Sequence, residues 1–318
     1  MSRPTVLCIV GPTASGKTAL SVALAQRLNG EIVSADAVAV YKGLDIGSAK
    51  PTVEEQKDIP HHMLDCAEIT DSDYTVSVFR EQARNAIDAI NANNRLPIVV
   101  GGSGLYHDAI FGDMRFSAPS DPVLRSKLEQ EYDRDPTKLF ERLREDDPIT
   151  AERLHPNDKK RVVRATEVLM LTGKPFSKLN RSFQTAQEEV DSYRIVRIGL
   201  TMNREILYQR IDQRVDRMIE SGLVQEAYSL FDRGFTPERY KAMQAIGYAQ
   251  LYESYQGRCT IPEAVEQIKL STRHFAKRQI TWFKRNHETR WFDIINTDQE
   301  TLIRTVTEIL NEYRSNDC

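Results

Sequence analysis

The chain has 318 residues, 40% of them hydrophobic, and a formal net charge of −3, so it can bury a sizeable core and extend over two domains as a soluble globular protein. No apolar stretch approaches membrane-spanning length, and the first four residues run directly into a predicted strand without room for a signal peptide. The four cysteines show no C-x-x-C pairing, which argues against a zinc cluster or a disulfide framework and favours a reducing cytoplasm.

A phosphate-binding loop follows the first predicted strand, Val6 to Val10. Its motif, G-x-x-x-x-G-K-[ST], is carried by Gly11, Pro12, Thr13, Ala14, Ser15, Gly16, Lys17 and Thr18. The strand before the loop and a predicted amphipathic helix after it, Thr18 to Leu28, are the context that the motif requires. Backbone N–H groups of such a loop surround a di- or triphosphate, Lys17 adds positive charge, and the Thr18 hydroxyl can hold Mg²⁺. The segment predicts a phosphate site with Mg²⁺ as cofactor, without indicating which phosphorylated molecule binds.

Asp36 comes just after the second predicted strand, Glu31 to Ser34. In an open parallel sheet this position lies at the carboxyl edge, beside the phosphate loop. A carboxylate there can accept a proton from an attacking group, anchor magnesium from its second sphere, or cap a turn. The residue alone leaves these three roles open.

Further short strands alternate with helical segments along the chain. They are predicted at Met63 to Asp65, Pro97 to Val100, Ile195 to Leu200 and Arg290 to Phe292. Long helices are predicted at Asn203 to Arg233 and Pro262 to Asn286. This alternation predicts an α/β fold, a phosphate-loop protein with a doubly wound parallel sheet.

The strand signal disappears between Arg115 and Tyr193. Helix-favouring segments such as Pro122 to Glu131 and Lys160 to Leu171 follow one another there, separated by Pro and Gly. We therefore predict a helical insertion domain of residues 115–193 that contacts a partner. Residues 1–114 and 194–318 form the predicted phosphate-loop core domain with its C-terminal helices.

The strand that ends at Val100 runs into Gly101, Gly102 and Ser103. ATP-hydrolysing phosphate-loop proteins usually end such a strand in an Asp that holds Mg²⁺, so the machinery of ordinary ATP hydrolysis is not evident. Glycines allow close backbone approach to a ligand, and Ser103 can donate to a phosphate or a developing oxyanion. A tight turn without a ligand is the alternative.

Three arginines, Arg210, Arg214 and Arg217, recur at helical spacing and share one stripe of a predicted helix. Guanidinium groups clamp phosphate oxygens in pairs, which suits a leaving pyrophosphate. The neighbouring Asp212 and Asp216 leave open a surface lattice of salt bridges.

Two cationic stretches stand out in the otherwise acidic chain. The first, from His155 to Arg181, carries Lys159, Lys160, Arg161, Arg164, Lys174, Lys178 and Arg181. The second, from Lys269 to Arg290, carries Lys269, Arg273, Lys277, Arg278, Lys284, Arg285 and Arg290 among aromatic residues. Cations interleaved with flat rings favour a nucleic-acid partner with unstacked bases, and solvated helix faces are the alternative.

In order and spacing, these blocks resemble the bacterial tRNA dimethylallyltransferases, also called tRNA isopentenyltransferases, over nearly the whole chain. The matching segments are residues 11–18, Asp36, 40–51, 60–62, 101–106, 155–158, 160–161, 164–168, 171–174, Arg210, Arg214, 222–223, 245–248 and 277–283. The resemblance implies transfer of a dimethylallyl group from dimethylallyl diphosphate to N6 of adenosine 37, next to the anticodon of tRNA. The products would be N6-dimethylallyladenosine and diphosphate, and the phosphate loop would hold that diphosphate.

The resemblance also implies roles for individual residues. Lys17, Thr18 with Mg²⁺, Ser103 and Arg214 would stabilise the leaving group, and Asp36 would accept the N6 proton as general base. Implied tRNA contacts are Asp36, Ala37, Val38, Ala39, Lys160, Arg161, Val162, Val163, Arg164, Lys277 and Arg278. The implied partner is the tRNA anticodon stem-loop, and the implied state is a monomer in the cytoplasm, with no membrane partner.

Two departures from the family pattern concern the site. After the aspartate the family often has Ser, then residues such as Met and Gln, whereas Ala37, Val38 and Ala39 follow here. Ser103 stands where Thr is more usual and keeps the hydroxyl. We therefore predict an active enzyme with an altered tRNA preference.

Two other functions fit part of the chain. A phosphate-loop kinase for a nucleoside or small metabolite, with Asp36 deprotonating a hydroxyl, accounts for the N-terminal half but not for the cationic stretches. A non-catalytic RNA-binding module that uses a nucleotide as a switch is the third possibility, and the combination of Asp36 and Arg214 argues against it.

Overall fold

One parallel sheet of six strands organises the chain. A computed structural model describes residues 3–112, 121–179 and 192–315. The strands are β1 (Thr5–Val10), β2 (Gly30–Ser34), β3 (His61–His62), β4 (Leu96–Val100), β5 (Arg194–Thr201) and β6 (Arg290–Asp293). Their order across the sheet is β3-β2-β4-β1-β5-β6, and every neighbouring pair is parallel. The predicted doubly wound parallel sheet is confirmed.

The helices begin where the sequence supplies caps. They are α1 (Lys17–Leu28), α2 (Val53–Gln56), α3 (Val76–Ala92), α4 (Gly104–Phe111), α5 (Pro122–Arg134), α6 (Pro136–Asp146), α7 (Pro148–Arg153), α8 (Lys159–Thr172), α9 (Phe176–Leu179), α10 (Arg204–Glu220), α11 (Leu223–Asp232), α12 (Tyr248–Tyr255), α13 (Ile261–Phe283) and α14 (Gln299–Ser315). The Asp158 side chain caps α8, and Thr260 with Glu263 forms a capping box at the start of α13. A short 3-10 helix spans Lys241–Gln244.

Alternate residues of the central strand β1 pack in two separate hydrophobic cores, because successive side chains of a strand point to opposite faces of the sheet. Val6 and Val10 pack with Phe79 of α3 on one face. Leu7 packs with Leu24 of α1 on the other face, in a core to which α14 also contributes. Helices therefore cover both faces of the sheet, as the continuous apolar sequence of β1 predicts.

The chain divides into two compact units. A core unit comprises Met1–Phe111 and Ser192–Cys318, and a helical unit comprises Gly112–Asp191, close to the predicted boundaries at 114–115 and 193–194. Among residues 121–179 all regular elements are helices, which surround a core of their own that includes Leu128, Leu139 and Val162. No helix among the described residues is long and apolar enough to cross a membrane.

Two predicted elements were wrong in detail. The third strand is His61–His62 and not Met63 to Asp65, since Met63 and Asp65 have φ of 65° and 53°, outside the strand region. The long helix predicted from Asn203 is two helices, because Gly222 adopts a φ of 100° between α10 and α11.

Candidate active site

Three neighbouring strands end side by side at the carboxyl edge of the sheet. The last residue of β2, Ser34, is in register with Val100 of β4, and Val100 is in register with Ile9 of β1. The phosphate loop follows β1, Asp36 follows β2, and Gly101 to Ser103 follow β4. The sheet order therefore brings the three predicted site segments together, as expected for an open α/β sheet.

The phosphate loop keeps its N–H groups available for an anion. Gly11 has a φ of 146°, and a Cβ there would lie 2.7 Å from the carbonyl oxygen of Leu200, so only glycine fits. The backbone N–H groups of residues 14–18 make no hydrogen bond within the described parts of the chain. Ser15 Oγ is buried without a hydrogen-bond partner. These free donors lie at the start of α1, where the helix dipole favours negative charge.

Lys17 lies beside a second cation and a carboxylate. Its Nζ donates to the carbonyl oxygen of Pro12 at 2.6 Å. Burial, reinforced by the charge of Arg214 and opposed by Asp36, lowers the pKa of Lys17 to about 7. An anion at the loop would favour the protonated ammonium, because an opposite charge stabilises the charged form.

Asp36 uses one of its two carboxylate oxygens to shape the turn that follows it. Oδ1 accepts the N–H groups of Val38 at 2.8 Å and Ala39 at 3.2 Å. This is the turn cap that the sequence left open as one of three roles. Oδ2 makes no hydrogen bond to any described residue, so one oxygen is fixed and the other is available to a substrate proton.

Ser103 connects the β4 edge to the Asp36 turn. Its Oγ accepts the N–H of Ala37 at 3.0 Å, and its own N–H donates to the carbonyl oxygen of Ala35 at 3.2 Å. The hydroxyl hydrogen of Ser103 stays available, since a hydroxyl can accept and donate at once. The predicted role as a donor to phosphate is compatible with this arrangement.

Arg214 reaches the same site from α10. Burial lowers its pKa, and the charges of Asp36 and Glu55 oppose the shift. Among the described residues it has no hydrogen bond and no ion pair. A partly buried guanidinium without a partner is costly unless an anion binds it, so Arg214 is suited to a ligand phosphate.

The alternative of a salt-bridge lattice on α10 is wrong for Arg214. Asp212 Oδ1 accepts from Arg273 Nε of α13 at 2.9 Å, and Asp216 pairs with Lys269 of the same helix at 2.8 Å. The acidic residues thus hold α10 against α13 and leave the arginine stripe unneutralised. Of that stripe, Arg217 donates to the Gln213 carbonyl of its own helix, and Arg210 makes no hydrogen bond or ion pair within the described parts of the chain.

The residues present fit a magnesium ion that is shared with a diphosphate. Thr18 is exposed at the first turn of α1, and its hydroxyl makes no hydrogen bond in the described segments. No group of three or more His, Cys, Asp or Glu residues among the described positions could hold a metal by itself. Mg²⁺ typically takes one or two protein ligands and completes its shell with water and substrate phosphates, which is the chemistry that Thr18 with a diphosphate offers.

The predicted tRNA contacts on α13 are exposed cations. Lys277 and Arg278 are both solvent-exposed. Arg278 lies over the Phe275 ring at 5.7 Å, and Lys277 has no ion pair in the described part of the chain. Earlier cations of the same stretch, Lys269 and Arg273, are neutralised by α10. The available positive charge is therefore confined to the C-terminal half of the helix.

In the helical unit, the cations of α8 that are predicted to contact tRNA are either solvent-exposed or paired with a buried acidic residue. Lys160 is exposed, and Arg161 is 69% exposed with a weak pair to Asp158 at 3.2 Å. Arg164 pairs at 2.6 Å with Glu167, whose side chain is fully buried. Burial alone would raise the pKa of Glu167, but hydrogen bonds from Arg125 and Arg164 outweigh it and hold that pKa below its usual range. Arg164 thus has a structural partner.

Three residues predicted to contact tRNA have buried side chains. Val162 and Val163 are 0% and 2% exposed in the core of the helical unit, and Ala39 is 4% exposed in the core unit. Their side chains pack inside, as the apolar positions of a helix or turn do, so a contact at these positions would have to come from the backbone. Arg181, the last cation of the first stretch, lies outside the described residues.

Sequence reasoning missed Gln279, which joins two site segments. Its Oε1 accepts the Thr13 N–H at 2.8 Å, and its Nε2 donates to the Gly102 carbonyl at 2.9 Å. The available signal was its register, because Gln279 falls among Ile268, Ala276 and Phe283 on the buried side of α13. A polar residue in an apolar stripe indicates an internal hydrogen-bond partner.

A protein family and several named relatives match this chain over most of its length. A family model described as IPP transferase matches residues 39–286. A protein of Pelotomaculum thermopropionicum named tRNA dimethylallyltransferase is 46% identical over 292 residues, 92% of this chain and 91% of that protein. One of Geobacillus thermodenitrificans with the same name is 46% identical over 306 residues, 96% of this chain and 94% of its own length.

Solved structures are similar over most of the chain as well. The tRNA isopentenylpyrophosphate transferase of Bacillus halodurans has a TM-score of 0.73 and 38% identity, covering 98% of both chains. A eukaryotic dimethylallyltransferase acting on tRNA has a TM-score of 0.83 and 29% identity, covering 98% of this chain and 80% of that one.

Proposed function

The chain belongs to the tRNA dimethylallyltransferase family, also described as IPP transferases, and on that premise we propose that it transfers a dimethylallyl group from dimethylallyl diphosphate to N6 of adenosine 37 in tRNA. The observation that supports this most is the pairing of free cations with a free carboxylate oxygen. Lys17 and Arg214 influence each other and Asp36 electrostatically, yet neither makes an ion pair with it among the described residues. Such a site can bind a diphosphate next to a carboxylate that acts as general base.

The diphosphate half of the donor would bind at the phosphate loop. Its oxygens would receive the free N–H groups of residues 14–18, the Lys17 ammonium and the Arg214 guanidinium. Negative charge accumulates on this diphosphate as it leaves, so donors fixed in advance lower the barrier. Ser103 would add its hydroxyl hydrogen from the β4 edge.

The adenine half would meet Asp36. As the bond between the allylic C1 and the diphosphate oxygen breaks, a bond forms between C1 and adenine N6. The electron pair of the broken bond stays on the diphosphate, and the N6 proton passes to Asp36 Oδ2. Because the lone pair of an adenine amino group is delocalised into the ring, a positioned carboxylate assists a weak nucleophile. The base must leave the anticodon-loop stack to reach this oxygen.

The surroundings of Asp36 suit an allylic carbon that gains positive charge. Tyr106 is 7% exposed and stacks on Phe79 with ring centroids 3.8 Å apart. Burial, with the charges of Tyr41 and Asp36, raises the pKa of Tyr106, so its hydroxyl stays neutral. A largely buried aromatic ring within electrostatic range of Asp36 would favour capture of the cationic carbon by N6 over capture by water.

We propose Mg²⁺ as the cofactor, with Thr18 as its protein ligand. When bound, the ion would neutralise charge on the leaving diphosphate. Thr18 would orient it from the first turn of α1, next to Lys17.

The proposed macromolecular partner is the anticodon stem-loop of tRNA. Exposed cations without ion pairs in the described segments, Lys160 in one unit and Lys277 in the other, would contact phosphates, the sequence-independent part of RNA binding. A cytoplasmic monomer is proposed as well, and the free thiols of Cys8, Cys66 and Cys259 are typical of a reducing compartment.

The test is incubation of the purified chain with unmodified tRNA, Mg²⁺ and labelled dimethylallyl diphosphate. Label that maps to the adenosine beside the anticodon supports the transferase. A parallel reaction contains labelled ATP and a set of nucleosides without tRNA. Phosphate transfer there, without label in tRNA, would replace the proposal with a phosphate-loop kinase.

A further inference from the structure

Gln279 is a buried amide whose two ends are both engaged by the backbone of the site. It is 4% exposed. Its Oε1 accepts the N–H of Thr13 in the phosphate loop at 2.8 Å, and its Nε2 donates to the carbonyl of Gly102 at 2.9 Å. One side chain of α13 thus connects the loop after β1 with the loop after β4.

The hydrogen bond to Gln279 orients the peptide N–H of Thr13 in the phosphate loop. The Thr13 N–H points to Gln279, whereas the N–H groups of residues 14–18 make no hydrogen bond in the described part of the chain. Anion-binding loops depend on such a division, because successive N–H groups must converge on one point. Loss of the Gln279 oxygen would free the Thr13 N–H and remove the restraint on the loop.

The other end of Gln279 fits a glycine that has no room for a side chain. A Cβ on Gly102 would lie 2.1 Å from Nε2 of Gln279. The bond therefore fixes the backbone immediately before Ser103, whose Oγ in turn accepts from Ala37 after the proposed base. Through Gly102, the Gln279 amide restrains Ser103, the proposed hydrogen-bond donor to the diphosphate. It also restrains the turn that follows Asp36.

We propose that Gln279 is a positioning residue of the transferase site, which holds the phosphate loop and the Gly102–Ser103 turn in the shape that binds diphosphate. This inference rests on the proposed function for its ligand, and it adds a residue that acts through Thr13 and Gly102 without touching the substrate. It also assigns two tasks to one turn of α13, since Lys277 and Arg278 are exposed on the same turn. The helix proposed to contact tRNA then also sets the geometry of the donor site.

The decisive experiment is calorimetric titration of the full chain with pyrophosphate and Mg²⁺. Gln279→Met keeps the length of the side chain but removes both hydrogen bonds, and we expect the affinity to fall about tenfold or more. The matched control is Gln250→Met. Gln250 is also a part-buried amide that accepts a backbone N–H, that of Gly247 at 2.9 Å, and its variant should bind within about twofold of wild type. Wild-type affinity in Gln279→Met overturns the proposal, as does an equal loss in Gln250→Met.

A second pair of readouts separates positioning from general damage. In the transfer assay, Gln279→Met should raise KM for dimethylallyl diphosphate and lower kcat while KM for tRNA stays unchanged; a rise only in KM for tRNA contradicts the proposal. Gln279→Glu retains the acceptor for Thr13 but places a carboxylate oxygen against the Gly102 carbonyl and negative charge beside the anion site, so it should bind pyrophosphate at least as weakly as Gln279→Met.

Gly102→Ala provides an independent route if Gln279→Met does not fold. The added methyl would displace Nε2 and should weaken pyrophosphate binding to a similar extent, whereas unchanged binding counts against the proposal. Binding is measured without tRNA, so the inference stands or falls separately from the transfer reaction. If the wild-type protein binds pyrophosphate but modifies no tRNA, only the proposed function is contradicted. If the wild-type protein binds no pyrophosphate, the positioning role of Gln279 is contradicted.

Discussion

Two carboxylates of this chain lie near cations and are used in opposite ways. In the helical unit, Glu167 is fully buried and accepts from Arg125 at 2.7 Å and Arg164 at 2.6 Å. In the core unit, Asp36 interacts electrostatically with Lys17 and Arg214 but makes no ion pair with them among the described residues. Paired charges hold a fold together, and charges kept apart by the fold are ready for a ligand.

The number of cations in a stretch is therefore a poor guide to function. Neighbouring residues of α8 differ in the same way, since Lys159 pairs with Asp133 at 2.6 Å while Lys160 is exposed. Which cation is available depends on acidic residues that are distant in sequence and close in the fold.

The largest expected effect is on chemistry at Asp36. Asp36→Asn keeps an oxygen for the Val38 and Ala39 N–H groups, so the turn should persist, but it removes the proton acceptor. We expect kcat to fall about 10²–10⁴-fold with little change in tRNA affinity, measured by single-turnover transfer and filter binding. If binding and turnover decline together, Asp36 is a binding or structural residue, and the contrast with Glu167 fails.

A smaller effect, on stability alone, is expected at Glu167. Glu167→Gln leaves two arginines about a third exposed, with side chains at 32%, and should lower the free energy of unfolding by about 1–3 kcal/mol. Thermal unfolding followed by circular dichroism measures this. Catalytic rate per folded molecule should stay the same, and a selective loss of kcat would contradict a purely structural role.

The same substitution has a pH signature. Because the folded pKa of Glu167 lies below its ordinary value of 4.5, its stabilising contribution is present above that value and is lost as pH falls through the folded pKa. Wild type should lose stability over this acid range, and Glu167→Gln should lose less. Parallel stability curves for the two proteins from pH 7 down to strongly acidic pH would count against the assignment.

The smallest effects concern single surface cations. Lys160→Gln and Lys277→Gln should each weaken tRNA binding modestly and reduce the slope of log affinity against log salt by about one phosphate contact. Lys159→Gln is the matched control, since Lys159 is already paired with Asp133, and its slope should equal that of wild type. Equal slopes for all four proteins would remove Lys160 and Lys277 from the tRNA surface.

The local parts of the site could be predicted because they lie at strand ends. A motif after β1 and an aspartate after β2 meet wherever those strands are parallel and close, so Lys17 and Asp36 could be placed from sequence. The strand predicted at Met63 failed because an apolar run does not reveal positive φ angles. The break at Gly222 was missed because isolated glycines are tolerated within helices.

The remaining parts depend on contacts that no local pattern encodes. Gln279 meets Thr13 across 266 positions, and Arg273 meets Asp212 across 61. Helical spacing placed Arg214 on a stripe with its neighbours, but only the packing of α10 on α13 decides that Asp212 faces away from it. Likewise Val162 lies within a cationic stretch and is nevertheless buried, since the apolar face of α8 turns into the core of its own unit.

The most direct test of the contrast between paired and free cations is calorimetric titration of pyrophosphate with Mg²⁺ into wild type, Arg214→Gln and Arg164→Gln. We predict that Arg214→Gln loses about tenfold or more in affinity with an unchanged unfolding temperature, and that Arg164→Gln unfolds earlier but binds pyrophosphate like wild type. If Arg214→Gln bound pyrophosphate as tightly as wild type, the free cations at the phosphate loop would not form the diphosphate site.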